Sequence, residues 1–96
     1  MSAYVVVTMN ITDQEPLMEY VGSIGKLLEK HGGRYLVRGE LPEVMHGGDN
    51  VPERLVVIEF ADTDTARAFF EERKALGLAD LFSQGTDSTI LLAEGV

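Results

Sequence analysis

Apolar side chains alternate along residues 3–11: Ala3, Val5, Val7, Met9 and Ile11 are all apolar, whereas Tyr4, Val6, Thr8 and Asn10 between them are mixed. A period of two predicts a strand, here with one face fully covered and the other in a partly polar setting. The period then changes. Thr12-Asp13-Gln14-Glu15 has the form of a capping box, in which the Thr12 hydroxyl and the Glu15 carboxylate satisfy free amides at a helix start, and Pro16 is tolerated in a first turn. Leu17, Tyr20, Val21, Ile24, Leu28 and His31 follow on one stripe at helical spacing, with Glu19, Lys26, Glu29 and Lys30 largely outside it. Gly32 can take the left-handed conformation that ends a helix, and Gly33 lets the chain reverse straight into a strand.

Beyond that corner, Arg34–Arg38 alternates again, with Tyr35 and Val37 on one face and Arg34, Leu36 and Arg38 on the other. Residues 41–53 carry Pro42, Gly47, Gly48, Asp49, Asn50 and Pro52, a long loop that is either mobile or functional. Arg54–Phe60 forms the next strand, with Val56, Ile58 and Phe60 on an apolar face and Leu55, Val57 and Glu59 opposite. Asp62 can cap a helix whose inner stripe is Ala66, Phe69 and Phe70; Leu78, Leu81 and Phe82 continue an apolar stripe after Gly77, and a last strand covers about Ser88–Glu94. Strand, helix, strand, strand, helix, strand is the split βαββαβ order of the ferredoxin-like α+β fold, a four-stranded antiparallel sheet with both helices on one face.

The opposite face is then bare, and it carries Val6, Leu36, Leu55 and Val57. Four short strands present on the order of 300 Å², near the limit for an exposed apolar patch on a monomer. Two copies packed sheet to sheet would gain on the order of 15 kcal/mol at ~25 cal/mol per Å², comparable with the upper part of the cost of association. A homodimer through the sheet face is the expected assembly.

Composition narrows the partners. A chain of 96 residues is read as one domain, residues 1–96, and one of this size is often helped by a partner. Without cysteine, disulfides, thiol nucleophiles and thiolate zinc sites are impossible. A formal charge of -8 repels phosphate backbones and anionic lipid, so neither nucleic acid nor membrane is an expected partner. The first residues lack the basic and apolar segments of a signal peptide, which leads to the expectation of a cytoplasmic protein.

Gly32-Gly33-Arg34-Tyr35-Leu36-Val37-Arg38-Gly39, Pro52-Glu53-Arg54-Leu55-Val56-Val57-Ile58-Glu59-Phe60 and Glu94-Gly95-Val96, with Ala3-Tyr4-Val5-Val6-Val7 and Thr12-Asp13, resemble the domain-of-unknown-function 1330 family over nearly the whole chain. The resemblance implies a dimeric α+β barrel, a fold group that holds cofactor-free monooxygenases, muconolactone-type isomerases and haem proteins of the chlorite-dismutase kind, without implying any one activity. The chain departs from the family pattern in its second helix, where Phe69-Phe70 and Glu72-Arg73-Lys74-Ala75 replace Trp-Tyr and Ser-Pro-Glu-Tyr, and in the loop before Pro52, which lacks a tryptophan. Those changes imply a more apolar pocket.

Candidate chemistry falls into a few groups. By strand parity Arg34, Arg38 and Glu59 point into the dimer interior beside Tyr4, where they form an interchain ion-pair network, or the arginines reach solvent at a sheet edge, or, with Tyr4, they make a site for a small carboxylate that an arginine fork would grip. His31 is a boundary residue at a helix end, or alternatively a general base. His46, Asp49 and Glu43 share the loop without any recognised metal-ligand spacing, and no metal or cofactor is expected. Tyr20, Tyr35, Phe69, Phe70 and Phe82 are either core or the lining of a helix–sheet cavity. Gly22-Ser23-Ile24-Gly25-Lys26 has the wrong spacing for a phosphate loop, and no Gly-x-Ser-x-Gly elbow occurs. The leading expectation is a homodimer that binds a small carboxylate or aromatic ligand. The alternatives are a cofactor-independent oxygenase or isomerase that positions its substrate with His31, Tyr35 or an arginine, and a purely structural dimer.

Overall fold

The computed structural model describes residues 1–96. Its elements run β1 (Ala3–Ile11), α1 (Gln14–Lys30), β2 (Arg34–Glu40), β3 (Arg54–Phe60), α2 (Thr63–Ala75), α3 (Leu78–Gly85) and β4 (Thr86–Glu94). The strands form one antiparallel sheet in the order β2-β3-β1-β4, the ferredoxin-like arrangement that the strand and helix order predicts. Across its thinnest direction the Cα framework spans 15 Å, one sheet and one helix layer.

The odd residues of β1 build the core as their period requires: Val5, Val7 and Met9 are buried with Ile58 and Phe60 of β3 under Leu17, Ile24, Leu27 and Leu28 of α1, Ala66 and Phe69 of α2, and Phe82 of α3. The α1 stripe therefore includes Leu27, while Val21 sits at its exposed margin. On the other face Val6 lies opposite Val57 and Leu91, and Leu55 opposite Thr8. Nothing in the chain covers these residues, and Leu91 is 58% and Leu36 45% exposed.

The helix starts differ in one detail from the capping-box reading. Asp13, not Thr12, caps α1, its carboxylate accepting from the Glu15 amide at 3.2 Å. The amides of Thr12 and Asp13 both donate to the Gly85 carbonyl, which fixes the chain one residue later than a Thr12 cap would. Asp62 caps α2 as expected, accepting from the Thr65 amide at 2.7 Å. Gly32, at φ +70°, ends α1, and a Cβ on Gly33 would lie 2.5 Å from Leu28 Cδ1 and 2.8 Å from Phe60 Cε1, so the corner is pressed onto the core.

Candidate functional site

The strand β2 does not keep its parity. Arg34 pairs with Glu59 and Tyr35 with Ile58, but Val37, not Leu36, faces Val57 and Arg38 faces Val56. Leu36 is the additional residue of a β-bulge, and a second register shift falls at Gly39, whose φ is +99°. Val56 and Ile58 belong to the core face, so the bulge carries Arg38 from the open face, where strict alternation puts it, to the helix side. Val37 moves the opposite way. Arg54 shares the side of Val56 and lies diagonally across from Arg38 on the neighbouring strand.

Both arginines, exposed to solvent, therefore stand at the rim of a half-open cavity of about 260 Å³ between α1, the sheet and the two shorter helices. Its wall is mainly apolar, from Ile24, Leu28, Val56, Ile58, Phe70 and Phe82 among others, and its polar members are Tyr20, Tyr35, Arg38 and Arg54. Gly25 of α1 turns no side chain towards the space: a Cβ there would meet nothing within 4 Å. The loop from Leu41 to Glu53 leaves and re-enters the sheet beside Gly39 and Arg54, at the arginine end. It is tied down by the Glu53 carboxylate, which accepts from the Ile11 amide, and by Asn10 Oδ1, which accepts from the Glu53 amide, both at 2.9 Å.

Arg38 lies over the Tyr35 ring, 5.0 Å from its centroid, and neither Arg38 nor Arg54 has a carboxylate within 4.0 Å. Arg54 donates only to the Glu53 carbonyl, at 3.2 Å. Burial pushes the Tyr35 phenol above its ordinary value, an effect the Arg38 charge opposes in part. Tyr20 is also pushed up by burial against the opposing Arg73 guanidinium. Both phenols are thus proton donors at neutral pH. Arg73 is 7% exposed, donates from Nε to the Tyr20 oxygen at 2.9 Å, and sits among the rings of Tyr20, Phe70 and Phe82.

The remaining candidates are placed apart from this cavity. Arg34 Nε donates to Glu59 Oε1 at 2.7 Å within the same chain, on the open face, beside Tyr4, which pairs with Glu59 in the β1–β3 ladder. Arg34 first and the Tyr4 hydroxyl second hold the Glu59 carboxyl below the usual carboxylate range. The pair is an intrachain cross-strand contact, so an interchain partner is not needed to satisfy either charge. His31 Nε2 is 2.9 Å from Glu72 Oε1, and Lys30 Nζ donates to the other oxygen of the same carboxylate at 2.8 Å. His31 packs edge-on to Phe69 and lines no part of the cavity. His46, Asp49 and Glu43 are not brought together as a ligand set.

Two features escape sequence reasoning. Arg54 could have been placed on the helix side, since it has the parity of Val56 and Ile58. Arg73 carries no such signal, because a basic residue in a charged run reads as solvated.

The fold is similar to that of RPA0582, a protein of unknown function from Rhodopseudomonas palustris, with a TM-score of 0.81 at 12% identity over 99% of this chain and 82% of that one. It is also similar to SnoaB, a cofactor-independent oxygenase from Streptomyces nogalater, with a TM-score of 0.65 at 12% identity over 99% of this chain and 93% of SnoaB. At such identities the likeness is one of fold. No curated protein sequence matches the chain. The family model of the domain of unknown function DUF1330 matches residues 2–96, and the chain belongs to that family.

Proposed function

We propose that this protein is a homodimer, joined through its open sheet face, whose subunits each bind a small aromatic carboxylic acid in the helix–sheet cavity. The observation that carries the reading is the pairing of an apolar cavity with two arginines at its rim that have no carboxylate of their own. An apolar cavity of about 150 Å³ holds benzene, so 260 Å³ has room for a one- or two-ring body. Arg38 and Arg54 are diagonal neighbours on one sheet face, a spacing that suits the two oxygens of a carboxylate. In a chain of charge -8, free guanidinium groups beside a hydrophobic cavity are the local exception that favours an anion. Arg34, Glu59 and Tyr4 satisfy one another and play no part in the site. The oxygenase SnoaB shares the fold, and a reaction without cofactor is compatible with this cavity through its two phenols; His31, bound to Glu72, is not its base.

Calorimetric titration with 2-naphthoate and with its methyl ester tests the site. Binding of the acid, weakened at least tenfold in Arg38→Met and Arg54→Met and lost in Gly25→Leu, is the expected result. Equal affinity for acid and ester, or binding unaffected by Gly25→Leu, would overturn it.

A further inference from the structure

Arg73 is the one charged side chain buried in the fold. No carboxylate lies within 4.0 Å of it, and since no buried side-chain nitrogen in the fold lacks a partner, the guanidinium ends that make no hydrogen bond keep contact with water while Nε is held inside. Its only hydrogen-bond acceptor is the Tyr20 phenol, 2.9 Å from Nε, and three aromatic rings at 5.2 to 5.5 Å surround the rest. Tyr20 uses its oxygen to accept that bond, and its own O–H hydrogen has no acceptor in the protein: its one hydrogen bond is the one from Arg73. Tyr20, Phe70 and Phe82, the three residues whose rings pack on Arg73, all line the cavity. A buried cation is thus coupled, through one fixed phenol, to a cavity wall that offers an unused proton donor.

Resting on the cavity reading above, we propose that Tyr20, polarised by Arg73, binds a ligand oxygen in its ionised form, so that the cavity takes small aromatic or conjugated molecules bearing a weakly acidic hydroxyl, a phenol or an enol, as their anions. The ligand oxyanion accepts the Tyr20 O–H, and Arg73 behind the phenol supplies the positive charge. No covalent step is involved; the ligand proton passes to solvent. The rim arginines and this pair are separate features, since Arg38 and Arg54 sit on β2 and β3 and Arg73 on α2.

The test uses 4-nitrophenol, whose absorbance separates phenol from phenolate, and nitrobenzene as a neutral probe of the same body. The intact protein is expected to bind the phenolate at least tenfold more tightly than the phenol, seen as a fall of one unit or more in the ionisation midpoint of the bound probe. Tyr20→Phe and, independently, Arg73→Met should abolish that preference while nitrobenzene binding persists; Arg38→Met and Arg54→Met should leave it in place. Arg73→Met replaces a buried charge by an apolar side chain of similar length, which a fold commonly tolerates. If nitrobenzene binds but the phenolate is not preferred, or the preference survives in Tyr20→Phe, the inference fails and the cavity reading stands. If neither probe binds, both fail.

Discussion

Val57 offers the most decisive perturbation of the assembly. It lies on the open face between Val6 of β1 and Val37 of β2, with Leu91 beyond Val6 on β4, so it is central to the surface that a second copy would cover. In an isolated subunit this residue is only half-buried. Val57→Asp there costs about 1 kcal/mol, chiefly through strand preference. In a two-fold dimer the same change places two carboxylates in the interface, since an isologous contact repeats every residue. Arg34, the cation on this face, is already paired with Glu59 at 2.7 Å and is not free to neutralise the new carboxylates. Each uncompensated buried charge costs about 3 kcal/mol, so the dimer loses about 6 kcal/mol, roughly four orders of magnitude in its dissociation constant. Gel filtration with light scattering on both proteins, with circular dichroism to show that the variant is folded, reads this directly. A monomeric wild type, or a Val57→Asp variant that remains dimeric at equal concentration, would refute the covered-face argument.

Two further predictions concern the subunit itself. Gly85→Ala would put a Cβ 2.8 Å from both the Asp13 carbonyl oxygen and the Leu17 amide nitrogen, backbone atoms that cannot rotate away; a loss of about 1–3 kcal/mol, roughly 4–20 °C in Tm by thermal unfolding, is expected, and an unchanged Tm would mean that α3 does not dock on the start of α1 in this way. Lys30 first, then His31, hold the Glu72 carboxyl below its ordinary value of 4.5. A carboxyl depressed in the folded state adds stability that is complete above its unfolded value and lost as pH falls through the lower folded value. Urea unfolding from about pH 7 down to about pH 3 should therefore show Glu72→Gln less stable than wild type at the upper end, with the gap closing in acid; a gap independent of pH would contradict the ion-pair account.

The sheet was legible because its signal is local. Ala3, Val5, Val7 and Met9 face the core as their alternation requires, and Gly32-Gly33 ends α1 where the sequence places the corner. The candidate site was only partly legible, for reasons that differ residue by residue. Arg38 follows strict parity in the sequence, and a single additional residue at Leu36 sends it to the other side of the sheet; Gly39, able to hold φ +99°, is the sole local hint of irregular pairing. A one-residue shift reverses every side chain beyond it, so an error of this kind relocates a residue completely. The bond between His31 and Glu72 joins positions 41 apart, and that between Tyr20 and Arg73 joins positions 53 apart. Both depend on how α2 lies against α1, which no spacing along either helix encodes. The Arg34–Glu59 contact depends only on neighbouring strands in register, and it falls on the open face where parity puts both residues.

Whether the ligand lies on the helix side of the sheet is read by amide NMR of the isotope-labelled protein titrated with 2-naphthoate. Shift changes confined to Gly25, Tyr35, Arg38, Gly39, Arg54 and Val56, all of which line the cavity, are the predicted result. Changes centred on Tyr4, Arg34 and Glu59 would put the carboxylate on the open face and contradict the account.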